Sequence, residues 1–155
     1  DLLGKFLVRK RGNREITAMI TEVEAYVGPR DRASHASRGK TVRNSIMFGP
    51  PGFWYVYFTY GMHWMLNVVT EREEYPAAVL IRSVTGIMGP ARVTTAFGID
   101  GRLNRMPAIR KAGLWIEDRG VKVAPRQIKH SPRIGVDYAG VWRDKPWRFF
   151  VSLGK

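Results

Sequence analysis

The stretch FWYVYFTYGMHW, residues 53–64, decides how this chain folds. Eight of its residues are aromatic, counting His63, and none is formally charged. Large rings in such a run suit a pleated, half-buried strand. Tyr60-Gly61 interrupts it where a tight turn is wanted, so the stretch predicts strands over 53–59 and 63–70 with Tyr60 and Gly61 at a hairpin tip. The uncharged run reaches further, from Asn44 to Thr70, and imitates a membrane span. Pro50-Pro51-Gly52 breaks it, however, and Tyr residues, His63 and Asn67 follow, whereas spanning helices prefer aliphatic residues. No membrane partner is expected.

The rest of the chain is strongly basic. Its 155 residues hold 26 Lys plus Arg against 13 Asp plus Glu, a formal net charge of +13 with a pI near 10.6. Hydrophobic residues make up 45%, too many for a disordered basic tail. One domain with a real core fits this length, and the charge favours a polyanionic partner, nucleic acid above all. There is no cysteine, which removes disulfides, thiolate-held zinc and iron–sulfur clusters. The three histidines, His35, His63 and His130, lack metal-site spacing and acidic neighbours, so neither a metal nor a cofactor is expected. Asp1-Leu2-Leu3-Gly4-Lys5 does not have the layout of a signal peptide.

Working outward, Phe6 to Arg9 and Glu15 to Tyr26 read as strands around an Arg11-Gly12-Asn13 turn. On the second strand the even positions are Ile16, Ala18, Ile20, Glu22, Glu24 and Tyr26, so an apolar face runs into two carboxylates and a tyrosine. Residues 28–44 form a polar, basic loop or short helix. Glu71 to Tyr75 is a charged turn. Ala77 to Val84 is a strand whose even face, Ala78, Leu80, Arg82 and Val84, carries one arginine in an apolar row. Ala91 to Phe97 predicts a short helix, and Leu114 to Glu117, Lys122 to Ala124 and Arg148 to Val151 predict late strands. No repeat or linker divides the chain, and the sum is an α+β domain.

Several residues could carry chemistry. Glu24 ends an apolar strand face, and Arg82 is a plausible partner. Such a pair can be a structural ion pair or can hold an ionised carboxylate that activates water; Glu22 competes for the same assignment. Tyr26, His35 and Tyr57 can form a slot for a planar ligand or pack as ordinary core. Tyr60, supported by Met62, can enter a base step and kink a duplex, or fold back on its own hairpin. Arg38, Lys40 and Arg43 lie in a loop suited to phosphate contacts.

In order along the chain, TEVEAYVGP (21–29), SHASRG (34–39), RNSIMF (43–48), PGFWYVYFTYGMH (51–63), AVLIR (78–82), GPARV (89–93), PRIGV (132–136) and KPWRF (145–149) resemble the 3-methyladenine DNA glycosylase family of the alkyladenine type. The resemblance implies a single mixed α+β domain around a curved, mostly antiparallel sheet, with flanking helices, a protruding hairpin and no helix-hairpin-helix. It implies a monofunctional enzyme that hydrolyses the N-glycosidic bond of a damaged purine, alkylated or deaminated, flipped from duplex DNA. By this resemblance Glu24, rather than Glu22, is the general base. Arg82 and the backbone of Ile134 place the attacking water, Tyr26, His35 and Tyr57 stack on the base, and Asn67 crowds the exocyclic amino group of normal guanine. Tyr60 fills the gap left by the flipped nucleotide. The expected protein is an intracellular, DNA-associated monomer, with a bacterial cytoplasm favoured over a nucleus.

Three departures from the family pattern stand out: a late start at Asp1, an early stop at Lys155, and a short stretch from Arg82 to Gly89. Family members carry a basic helical segment there, so Ile87-Met88 reads as a junction across residues absent from the sequence. The rival reading is a non-catalytic nucleic-acid-binding or lesion-binding protein. It accounts for charge and aromatics without requiring Glu24 and Arg82 beside one tyrosine slot.

Overall fold

The computed structural model describes residues 1–151. Its strands are β1 (Phe6–Arg11), β2 (Arg14–Val27), β3 (Trp54–Thr59), β4 (His63–Val69), β5 (Ala77–Val84), β6 (Ile87–Met88), β7 (Leu114–Glu117), β8 (Ile128–Ser131) and β9 (Arg148–Val151). They form one curled antiparallel sheet in the order β3-β4-β5-β2-β1-β7, with β6 on β5 and the β8–β9 pair on β2. The long strand β2 organises it. Strand β5 lies along one edge, while β1 pairs with the first half of the other edge and β9 with Glu22 to Glu24.

The α-helix among the described residues, α1 (Pro90–Phe97), begins with Pro90, whose missing amide costs nothing in the first turn. It ends at Gly98, whose left-handed φ of 58° closes the C-terminus. Short 3-10 turns such as His35–Arg38 and Ser45–Phe48 supply the other helical pieces. The fold is therefore α+β as expected, although the flanking helices reduce to α1 and these turns. No helix among the described residues is long and apolar enough to cross a membrane.

Side-chain alternation gives the sheet two working faces. Trp54 and Val56, Leu66 and Val68, Ile81 and Val23 point one way, where α1 supplies Val93 and Phe97 to the main core. Trp54 is fully buried and its indole donates to the Leu114 carbonyl at 3.1 Å. The intervening residues point the other way. Tyr55, Val69 and Ala78 form a second cluster with Ala36 and Met47 from the 3-10 turns, and Tyr57 packs against it.

Strand β2 corrects the simple alternation expected for it. Ile20 and Val23 lie in the same core although three positions apart. Thr21 is an extra residue on β2 between Ile20 and Glu22 and reverses the strand's parity, while Arg82, extra on β5 between Ser83 and Ile81, restores the register. The apolar row therefore does not run on into Glu22 and Glu24; those carboxylates and Tyr26 take the opposite face. The strand expected at Lys122 to Ala124 is also absent. Pro125 follows that segment and starts a 3-10 turn, while Val123 packs beside Gly4. The pairing strand comes later, as β8 against β9. Phe53 makes only an isolated bridge to Pro107, and Thr85-Gly86 turns β5 directly into β6.

A buried ion pair ties two irregular segments together. Arg133 donates to both oxygens of Asp31, at 2.6 and 2.8 Å, and both side chains are wholly excluded from solvent. Asp31 also accepts the amides of Val27 and Ala33, while Arg133 donates to the carbonyls of Ala25 and Trp142. The guanidinium stacks on the rings of Tyr26 and Trp147. Arg133→Met strands a buried carboxylate and is expected to cost about 3–5 kcal/mol in urea denaturation. A loss below about 1 kcal/mol, the range of exposed pairs, would mean the pair is dispensable.

Candidate active site

The face that receives Glu24 and Tyr26 holds a cavity of about 390 Å³. Strand β2 contributes Glu24 and Tyr26, β3 contributes Tyr55 and Tyr57, β4 contributes Asn67, and β5 contributes Arg82. The 3-10 turn at 35–38 swings His35 in, and the segment after Arg133 delivers Ile134. The residues expected to serve as base, water-placing groups and stacking wall thus converge on one space.

Glu24 is fully buried. Its Oε1 accepts the Ile134 amide at 2.8 Å and lies 3.4 Å from Arg82 Nη1, while its Oε2 accepts the Tyr26 hydroxyl at 3.0 Å. Burial, with the Glu24 charge beside it, pushes the Tyr26 phenol far above its ordinary range, so Tyr26 remains a donor. Glu22 is differently employed. Its oxygens accept from Arg82 Nε, Arg148 Nη1 and Ser83 Oγ. Burial raises this carboxyl, but the hydrogen bonds from Ser83 and Arg148 and the two arginine charges outweigh it and leave it below the usual range.

The ring wall is built by edge contacts. His35 and Tyr57 meet nearly T-shaped with centroids 4.6 Å apart, and Tyr55 and Tyr57 lie 5.1 Å apart. His35 Nδ1 sits 2.9 Å from the Tyr55 hydroxyl. Burial, and then the Arg43 charge, lowers the His35 pKa, which keeps the ring neutral at physiological pH. Burial likewise pushes the Tyr55 phenol up to about 12. Asn67 is buried, and its Nδ2 donates to the Tyr55 carbonyl at 3.2 Å, which fixes the amide.

The hairpin tip behaves as its sequence suggests. Tyr60 has a φ of 52° and is 80% exposed, and Met62 beside it is also exposed. A Cβ on Gly135 would lie 3.9 Å from the Tyr60 hydroxyl, so the ring leans across the cavity mouth toward the 132–136 segment.

The basic loop is less uniform than expected. Arg38 and Arg43 line a shallow groove next to the cavity together with Arg32. Arg43, however, donates to the Phe58 carbonyl at 3.0 Å and stacks on Tyr57 at 5.2 Å, so it braces the pocket wall. Lys40 pairs with Glu74 on the surface. Sequence reasoning missed Tyr138, which lines both cavity and groove and donates to the Ala33 carbonyl. It also missed Tyr55 as part of the wall. The hydrophobic run gave every ring in β3 equal weight, and only alternation assigns Tyr55 to the face of Tyr57.

A family model described as methylpurine-DNA glycosylase matches in two pieces, residues 1–88 and 85–154, which overlap at the β5–β6 turn and β6. A protein of Methanocella arvoryzae is 42% identical over 170 aligned positions, covering 97% of this chain and 84% of its own length. Since 170 positions exceed the 155 residues here, that relative carries residues this chain lacks. A protein of Anaeromyxobacter dehalogenans is 46% identical, covering 96% of this chain and 74% of its own, and one of Legionella pneumophila is 42% identical, covering 98% and 86%. All three bear the name "Putative 3-methyladenine DNA glycosylase". Matched along nearly its whole length, the chain belongs to the methylpurine-DNA glycosylase family.

Proposed function

We propose that this protein is a monofunctional DNA glycosylase that takes an alkylated or deaminated purine out of duplex DNA and hydrolyses its N-glycosidic bond. One observation carries this reading: a fully buried carboxylate, Glu24, fixed by Ile134 and Tyr26, sits in an aromatic cavity whose mouth is crossed by the exposed Tyr60. A non-catalytic DNA-binding protein has no need of that carboxylate.

The net charge of +13 attracts the phosphates, and Tyr60 enters the stack as the lesion leaves it. Extrusion costs a few kcal/mol, least for a base that is already weakly paired. The purine stacks among Tyr26, His35 and Tyr57, where a delocalised positive charge gains from the ring faces. Asn67, held by Tyr55, crowds an exocyclic amino group. Arg82 and the backbone of Ile134 place a water molecule. Its oxygen bonds to C1′ as the bond to the base breaks. The bonding electron pair leaves on the purine nitrogen, and Glu24 takes the water's proton. An alkylated purine, already cationic, departs neutral. The ionised carboxylate also favours the positive charge that develops on the sugar. Among the described residues no lysine lines the cavity, which fits hydrolysis without a Schiff base to the sugar. The products are a free base and an abasic site.

Glu24→Gln is expected to lower single-turnover excision on the order of 10²–10⁴-fold while binding to an abasic-site analogue persists; equal loss of both would remove Glu24 as the base. Tyr60→Ala is expected to weaken lesion capture by about 1–3 kcal/mol and undamaged-duplex binding much less. An unchanged lesion preference would exclude it from the stack. Affinity is expected to fall with salt at a log–log slope of roughly −0.9 per phosphate contact, and a flat response would contradict phosphate-led binding. The primary assay is release of alkali-labile abasic sites from a duplex containing hypoxanthine or an alkylated purine.

A further inference from the structure

Glu22 lies next to the proposed chemistry and takes no part in it. Its side chain is 13% exposed, and it faces Arg82 and Ser83 from β5, Arg148 from β9 and Glu24 on its own strand. Oε1 accepts from Arg82 Nε at 3.2 Å and from Arg148 Nη1 at 2.9 Å. Oε2 accepts from Ser83 Oγ at 2.6 Å, and that hydroxyl in turn accepts the Gly89 amide at 3.1 Å. The carboxylate is therefore anchored to two neighbouring strands, β5 and β9, and through Ser83 to the start of α1.

Arg82 is thus shared between two carboxylates and pulled toward one of them. Its Nη1 stays 3.4 Å from Glu24 Oε1, longer than a strong charge-assisted hydrogen bond of about 2.7–2.9 Å. A guanidinium free beside a buried carboxylate closes into a bidentate fork. Such a fork would cover Glu24 and occupy the oxygens that must receive the water's proton.

We propose that Glu22 is a positioning residue for base excision: it holds Arg82 away from Glu24, so that the guanidinium directs water and the carboxylate stays free to accept a proton. This rests on the reading of Glu24 as the base. The double register slip gives the arrangement its geometry, since it sets Glu22 opposite Ser83 and places Arg82 as the extra residue before Ile81 pairs with Val23.

The test uses single-turnover excision, across pH, of one cationic alkylated purine such as N7-methylguanine in a duplex, a substrate whose departure needs no proton. Glu22→Gln is expected to lower the plateau rate by on the order of 10²-fold, the scale of a roughly 1 Å misplacement. It is also expected to move the acid limb of the profile to lower pH, because a negative charge has left the side of Glu24, which Tyr26, Arg82 and the Ile134 amide otherwise face. Binding to an abasic-site analogue is expected to persist. Glu22→Asp keeps the charge but shortens the reach, so the acid limb should stay in place while the rate falls less. An acid limb unmoved in Glu22→Gln, whatever its rate, would make Glu22 merely structural and overturn the proposal. If Glu22→Gln does not fold, Glu22→Ser removes the same charge and is read on the same acid limb: a limb moved to lower pH supports the proposal, and an unmoved limb, or full activity in Glu22→Asp, overturns it. Failure of the functional reading looks different: Glu24→Gln would then excise as well as the wild type.

Discussion

Everything at this site depends on a break in the rhythm of one strand. A regular β2 that buried Ile20 would also bury Glu22 and Glu24 in the core beneath α1, where two carboxylates have no water and few partners. The extra residue Thr21, just before Glu22, turns the second half of the strand over, and Arg82 on β5 answers it. Val23 then takes the core position, and Glu24 and Tyr26 reach the cavity. A reversal by one residue is the smallest change that moves every later side chain to the other face. It also bends the strand, in keeping with the curl of the sheet around the cavity.

Having reached that face, the carboxylate still has to be kept there. A buried ion without partners is expensive, and each oxygen of Glu24 has its own hydrogen bond, from the Ile134 amide and the Tyr26 hydroxyl. Neither donor comes from a residue that could wander. Tyr26 lies under the Arg133 guanidinium, and Ile134 follows directly after Arg133. The Asp31–Arg133 pair therefore supports both hydrogen bonds, although it touches neither oxygen of Glu24. His35 and the phenols around it stay neutral because burial penalises their charged forms, leaving a wall that presents rings rather than ions to a planar guest.

Much of this was legible in the sequence. The aromatic run named the β3–β4 hairpin and its Tyr60 tip, and ordered motif matches picked out Glu24, Arg82, His35 and Tyr57. The missing parts were those that local pattern does not encode. A bulge leaves no periodic mark, so the even positions of β2 looked like one continuous face. Asp31 and Arg133 lie in irregular segments, and nothing near either predicts the other. Arg43 looked like a loop cation free for phosphate, but the backbone of Phe58 and the ring of Tyr57 claim it. Lys122 to Ala124 looked like a strand, yet Pro125 follows and no strand among the described residues pairs with it. Tyr138 stood in a stretch without periodicity, and its place beside the cavity follows only from the packing of Ala33, Val136 and Ala139.

The hydrogen bond from Ile134 to Glu24 joins residues 110 apart, and the Asp31–Arg133 pair joins residues 102 apart. Contacts of such long range form late, because the intervening loop must close before they are rewarded. Strands β1 to β7 and the rings of Tyr26, His35, Tyr55 and Tyr57 all precede Ile134, the last donor to the carboxylate, in the chain. In this architecture the carboxylate gains its full set of partners only when the 132–136 segment docks on β2, so the same contacts make assembly of the site a sensitive report on whether these distant segments have come together.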